Sequence, residues 1–155
     1  MKQKQGPYPS PSAMRQWAAN EASPMMALES GELTTDVRGA PLGAANFGGK
    51  IQDVWLSVEE SGKDDTNTLS LTVDVKINGT TCLTTAPVIA HVSGEASTNK
   101  TTKVSGDTGV TQATMSSANS VSPGDMITYD MTLTRTASPT TEMRNLAVAV
   151  DFEPT

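Results

Sequence analysis

A chain of 155 residues with 4% aromatic residues and a formal charge of −6 has room for one lean-cored domain and an appendage. The acidic balance repels phosphate backbones and argues against direct nucleic-acid binding. The single cysteine, Cys82, excludes an internal disulfide framework and a cysteine-based metal site, and no stretch approaches the ~20 apolar residues of a membrane helix.

The first residues, Met1-Lys2-Gln3-Lys4, are basic, but no apolar run follows them, so no signal peptide is expected. Together with the lack of disulfides this points to synthesis in a reducing cytoplasm. Ser10 and Pro11 suit the start of a short helix, and Met14, Trp17, Ala18 and Ala22 then share one face at helical spacing. Pro24, Gly31, Gly39, Pro41, Gly43 and Gly48 interrupt the next stretch, which shows no sustained periodicity. Residues 1–48 are therefore predicted to be a long irregular arm with at most one short helix, outside the compact domain.

The arm is too apolar for a solvated tail. Tyr8, Met14 and Trp17 precede the glycines, and Met25, Met26, Leu28, Leu33 and Phe47 lie among them. Those eight residues are the expected partner-binding set, because aromatics and methionines concentrate at interface centres. Trp17 either folds back on its own domain or anchors on another subunit. An extended arm reaches ~160 Å at ~3.3 Å per residue, far beyond its own domain, which favours the second. Charges in the arm cancel, so the domain that follows carries the whole −6.

Residues 49–155 read as a series of short strands. Ile51 to Glu60 opens it, with Val54, Leu56 and Val58 on one face and Trp55 on the other. Leu69, Leu71, Val73, Val75 and Ile77 alternate with polar residues without error. Asn78-Gly79 then forms a two-residue turn, which pairs Ile77 with Thr80 and Val75 with Cys82 on the return strand to Thr85. Val88 to Val92 is a short strand, residues 94–109 are loop around a weak strand near Val104, and Val110 to Met115 is a further strand. Ser122-Pro123-Gly124-Asp125 turns the chain into Ile127, Tyr129, Met131 and Leu133. The last strand places Leu146, Val148, Val150 and Phe152 on one face and Ala147, Ala149, Asp151 and Glu153 on the other. About eight strands without intervening helices predict an all-β, two-sheet antiparallel sandwich of jelly-roll type.

Catalytic chemistry has no foothold in this pattern. His91 lies within a short strand with no partner near in sequence, and Cys82 alternates into the apolar face as a small hydrophobe. Asp64-Asp65 is too small a cluster for a calcium site, which needs several spaced oxygens. Asn78-Gly79-Thr80 and Asn99-Lys100-Thr101 match the glycosylation pattern by chance in a chain without a signal peptide. No phosphate loop, zinc spacing or triad is present, so neither an enzyme nor a cofactor is expected.

The stretch Leu71–Thr85, with its strand, Asn-Gly turn and return strand, and then Ser122–Met131, resembles β-sandwich modules of tailed-bacteriophage virion proteins. The pattern over residues 50–153 is similar to the head decoration, or cement, proteins of such phages. The resemblance implies a jelly-roll domain, commonly trimeric, on the capsid exterior, with arms lacing neighbouring major capsid proteins. The expected function is therefore a structural one in the virion, with the major capsid protein and further copies of the chain as partners and neither nucleic acid nor membrane among them. The alternative is a receptor- or glycan-binding module of a tail or fibre. That role wants exposed aromatics for sugar stacking, whereas Tyr129 alternates inward.

Overall fold

Thirteen strands follow one another in the computed structural model, which describes residues 24–136 and 138–154. They are β1 (Met25–Glu32), β2 (Val37–Ala44), β3 (Gly49–Glu60), β4 (Ser70–Ile77), β5 (Thr80–Thr81), β6 (Leu83–Thr85) and β7 (Val88–Ala90). The remainder are β8 (Lys100–Thr101), β9 (Val110–Thr111), β10 (Thr114–Met115), β11 (Ser120–Val121), β12 (Met126–Thr134) and β13 (Arg144–Pro154). No helix occurs among the described residues.

One sheet runs β1-β13-β3-β11, with β8 also on β3; the other runs β2-β12-β4-β7-β9, with β5 on β4. A small pair, β6 and β10, stands apart. All the pairings are antiparallel. The chain crosses between sheets from β1 to β2, from β2 to β3, from β3 to β4 and from β12 to β13. That interleaving is the jelly-roll order, and the all-β sandwich expected from the sequence is the fold.

Alternation builds the core. In β4 the inward residues Leu71, Val73 and Val75 are fully buried, and Ile127, Tyr129 and Met131 face them from β12. The opposite sheet supplies Val54, Leu56 and Val58 from β3 and Leu146, Val148 and Val150 from β13. The Asn78-Gly79 turn has positive φ at both residues (49° and 85°), as a type I′ turn requires. Ile77 pairs with Thr80, and the Cys82 amide donates to Val75 O at 3.0 Å, matching the predicted hairpin register.

The arm over 1–48 is corrected from residue 24 onward. Residues 25–32 and 37–44 are strands of the sandwich itself, β1 against β13 and β2 against β12. They supply the edge strand of each sheet on the same side of the sandwich. The glycines and prolines that read as loop instead mark irregular edge strands. Pro41 sits in β2, whose outer side needs no ladder donor, and the β2–β12 register shifts twice. In β1 the shift falls between Glu29 and Glu32, where Gly31 takes φ +84° and donates its amide to Asn145 Oδ1 at 2.6 Å. Further along, the weak strand expected near Val104 lies instead at Lys100–Thr101, and Val104 is exposed.

Candidate functional site

Of the eight expected partner-binding residues, Tyr8, Met14 and Trp17 lie outside the described residues. The other five divide sharply. Leu33 is 4% exposed, belongs to the core, and donates its amide to Met143 O at 2.8 Å. Phe47 packs edge-to-face on Phe152, with ring centroids 5.3 Å apart and planes at 88°. Met25 packs against the core from the inner side of β1. Leu33 is thus a core residue, and Met25 and Phe47 are half-buried against the core. Met26 and Leu28 are 49% and 71% exposed, on the outer face of β1.

Strand register turns those two side chains into part of a surface. Met26 stands opposite Ala149, which stands opposite Trp55, so one row crosses β1, β13 and β3 on the outer face. The next row runs Leu28, Ala147, Ser57 and Thr101. The face is apolar at β1 and becomes polar towards β8. On β13, Ala149 is fully buried beneath its row, and Ala147 and Trp55 are half-buried. Trp55 was legible as the odd residue on the outer side of its strand; that its row begins at Met26 was not, because Met26 had been placed in the arm.

Charge closes one end of this face. Lys103 Nζ lies 5.6 Å from the centroid of the Trp55 ring and 3.0 Å from Asp53 Oδ2, and it also donates to Asp151. Asp53 and Asp151 are register partners, so the lysine separates two like charges that face each other across the ladder. The hydrogen bond to Asp151 raises the Lys103 pKa, desolvation opposes it, and Asp53 adds to the rise. The Trp55 Nε1 donor is buried without an acceptor.

A second group of titratable residues ties down the loop after β7. His91 has a side chain 1% exposed, with Nε2 3.0 Å from Asp65 Oδ1. The Gly94 amide first, and His91 second, hold the Asp65 carboxyl down to about 2. Lys100 is equally enclosed and donates to Ala90 O at 2.9 Å, Thr108 O at 2.7 Å and Glu95 Oε1 at 2.5 Å. Burial pushes the Glu95 carboxyl up, and the hydrogen bond from Lys100 brings it below its ordinary value. Among the described residues, the hydroxyl bonded into this group is that of Ser93, which donates to the Asp65 carbonyl oxygen rather than to the imidazole.

The remaining reactive groups are structural. Cys82 is fully buried, its thiol pushed up to about 11 by desolvation, and it donates to Val75 O at 3.3 Å. Asp64 accepts from Thr66, Asn67 and Thr136, with the Thr136 bond contributing most to its lowered pKa. Among the described residues no three His, Cys, Asp or Glu side chains are placed to hold a metal ion. An open cleft of about 470 Å³ beside β3 and β8 is lined by Ser57, Glu59, Lys100, Asp107 and Asn145. Asn145 there is already committed to Glu59 and Gly31. Comparison with family models, with curated proteins and with solved structures gives no match.

Proposed function

We propose that the chain is a structural virion protein that binds the outside of a bacteriophage capsid and cements neighbouring major capsid subunits. The observation that carries this is the exposed Met26–Leu28 edge of a jelly-roll-like sandwich. Apolar groups left at a sheet edge favour contact with another chain. In this reading β1 and the outer face beside it lie against the assembly. The resemblance of the hairpin and the Pro-Gly-Asp turn to phage virion modules supplies the particle. Tyr129, 2% exposed, is not free for sugar stacking, which counts against a glycan-binding tip.

Immunogold electron microscopy tests the proposal, with an antibody against the chain applied to virions of the phage whose genome encodes it. Label over the heads is the expected result. Label confined to tail tips or fibres would support the receptor-binding role instead, and unlabelled particles would overturn both.

A further inference from the structure

Every sheet edge among the described residues is short or irregular except one. On the side opposite β1 the first sheet ends in β8 and β11, two residues each, and the second sheet ends in β9, also two. On the β1 side the second sheet ends in β2, which carries Arg38, Gly39, Pro41 and Gly43 and slips register twice. These are the usual defences of an edge against pairing with another chain. β1 lacks them from Met25 to Glu29. That run pairs residue for residue with β13, from Met25↔Val150 to Glu29↔Leu146, and its other side has no strand partner among the described residues.

We propose that this edge is the contact between two copies of the chain, with β1 pairing antiparallel to β1 of the second copy about a two-fold axis through Ala27. Two features fix the register. The regular run is bounded by Pro24, which has no amide donor, and by the bulge at Gly31, and Ala27 is its centre. Pairing about Ala27 sets Met25 against Glu29 and Met26 against Leu28, so all five residues are used. An axis through Leu28 would run each strand into the other's bulge. An axis through Glu29 would oppose two carboxylates directly, which is unfavourable.

Charge and face agree with this arrangement. Glu29 is the one charged residue of the run; it points inward and accepts the Tyr129 hydroxyl, so it does not meet its counterpart. On the outer face, Met26 of each copy meets Leu28 of the other. The rows Trp55–Ala149–Met26 then continue into Leu28–Ala147 of the second copy, which joins two small apolar faces into one. Five paired residues bury less than the ~1,200 Å² of a standard interface, so the dimer dissociates in the micromolar range. Because both copies are acidic, salt strengthens the association by screening.

The test is sedimentation equilibrium of the full chain from about 1 to 200 μM at low and high salt, with cysteine cross-linking as a second readout. Wild type is expected to be a monomer–dimer mixture that shifts towards dimer with salt. Leu28→Lys adds a charge to an exposed edge, leaves the circular dichroism unchanged, and weakens the dimer at least ~10-fold. Under mild oxidation Ala27→Cys forms an inter-chain disulfide, since residues on the axis have Cα atoms ~4.5–5.5 Å apart. Leu28→Cys does not, because its counterpart lies on the diagonal, ~7–8 Å away. A monomer at every concentration, a trimer, or cross-linking by Leu28→Cys in place of Ala27→Cys would overturn the proposal. A monomer in which the amides of residues 25–29 that do not bond to β13 exchange slowly would assign the edge to residues 1–23 of the same chain and would overturn it equally. The dimer occupies the same Met26–Leu28 edge that the capsid reading places against the assembly, so sedimentation decides the self-contact and particle labelling decides the capsid contact.

Discussion

Two leucines five residues apart separate a strand from an arm. Leu33 is 4% exposed within the core, and Leu28 is 71% exposed on the outer face. Truncating a buried leucine to alanine removes its transfer free energy and leaves a cavity, for a typical loss of about 3 kcal/mol. Unfolding the roughly 130 described residues at ~2.1 cal/mol/K each gives an entropy near 0.27 kcal/mol/K, so Leu33→Ala lowers Tm by about 11 °C. Leu28→Ala loses little buried area and shifts Tm by about 2 °C or less. Differential scanning calorimetry of wild type and the two variants reads both values directly. The assignment of residues 25–44 to the sandwich is refuted if Leu33→Ala melts with wild type. It is also refuted if Leu28→Ala costs as much as Leu33→Ala.

Three further outcomes are expected. Tyr129→Phe removes the one hydroxyl that joins β12 to Glu29 on β1, and the lost charge-assisted bond costs about 1.5 kcal/mol, or a Tm lower by roughly 6 °C; an unchanged Tm would show that this link between the sheets is idle. Asp65 is held down to about 2 from an ordinary 3.8, so its contribution to stability is full above about pH 4 and is lost as pH falls towards 2. Asp65→Asn should therefore flatten the dependence of Tm on pH in that window and leave it unchanged near neutrality, and an identical acid slope would contradict the assignment. With its thiol pushed up to about 11 and fully buried, Cys82 should react with iodoacetamide at pH 8 at least ~100-fold more slowly in the native chain than in denaturant, as read by mass spectrometry; equal rates would place it at the surface.

Alternation without error made the inner strands legible. Leu71 to Ile77 alternates buried apolar with polar residues, Leu146 to Phe152 alternates large apolar residues with Ala147, Ala149 and Asp151, and the Asn78-Gly79 turn has a sequence signature that few other geometries share. β1 and β2 were hidden for different physical reasons. In β1 the outer positions Met26 and Leu28 are as apolar as the inner Met25 and Ala27, so no period of two stands out. In β2 each register shift resets the phase, and Gly39, Pro41 and Gly43 replace the side chains that would have shown it. An edge strand tolerates both features because only one of its sides is paired. The candidate surface was legible only in fragments for the same reason. Met26 and Leu28 stand out in sequence as apolar residues of the arm and Trp55 as apolar on the outer side of its strand, but a register connecting residues more than a hundred positions apart, such as Met26 with Ala149, leaves no mark in local pattern.

The cement role itself is tested most directly by adding the purified chain to capsids that lack it and measuring the temperature at which their DNA becomes accessible to a dye. The account predicts saturable co-sedimentation with the capsids and a release temperature that rises with occupancy. Capsids that bind none of the chain, or that bind it and release DNA at an unchanged temperature, would contradict it.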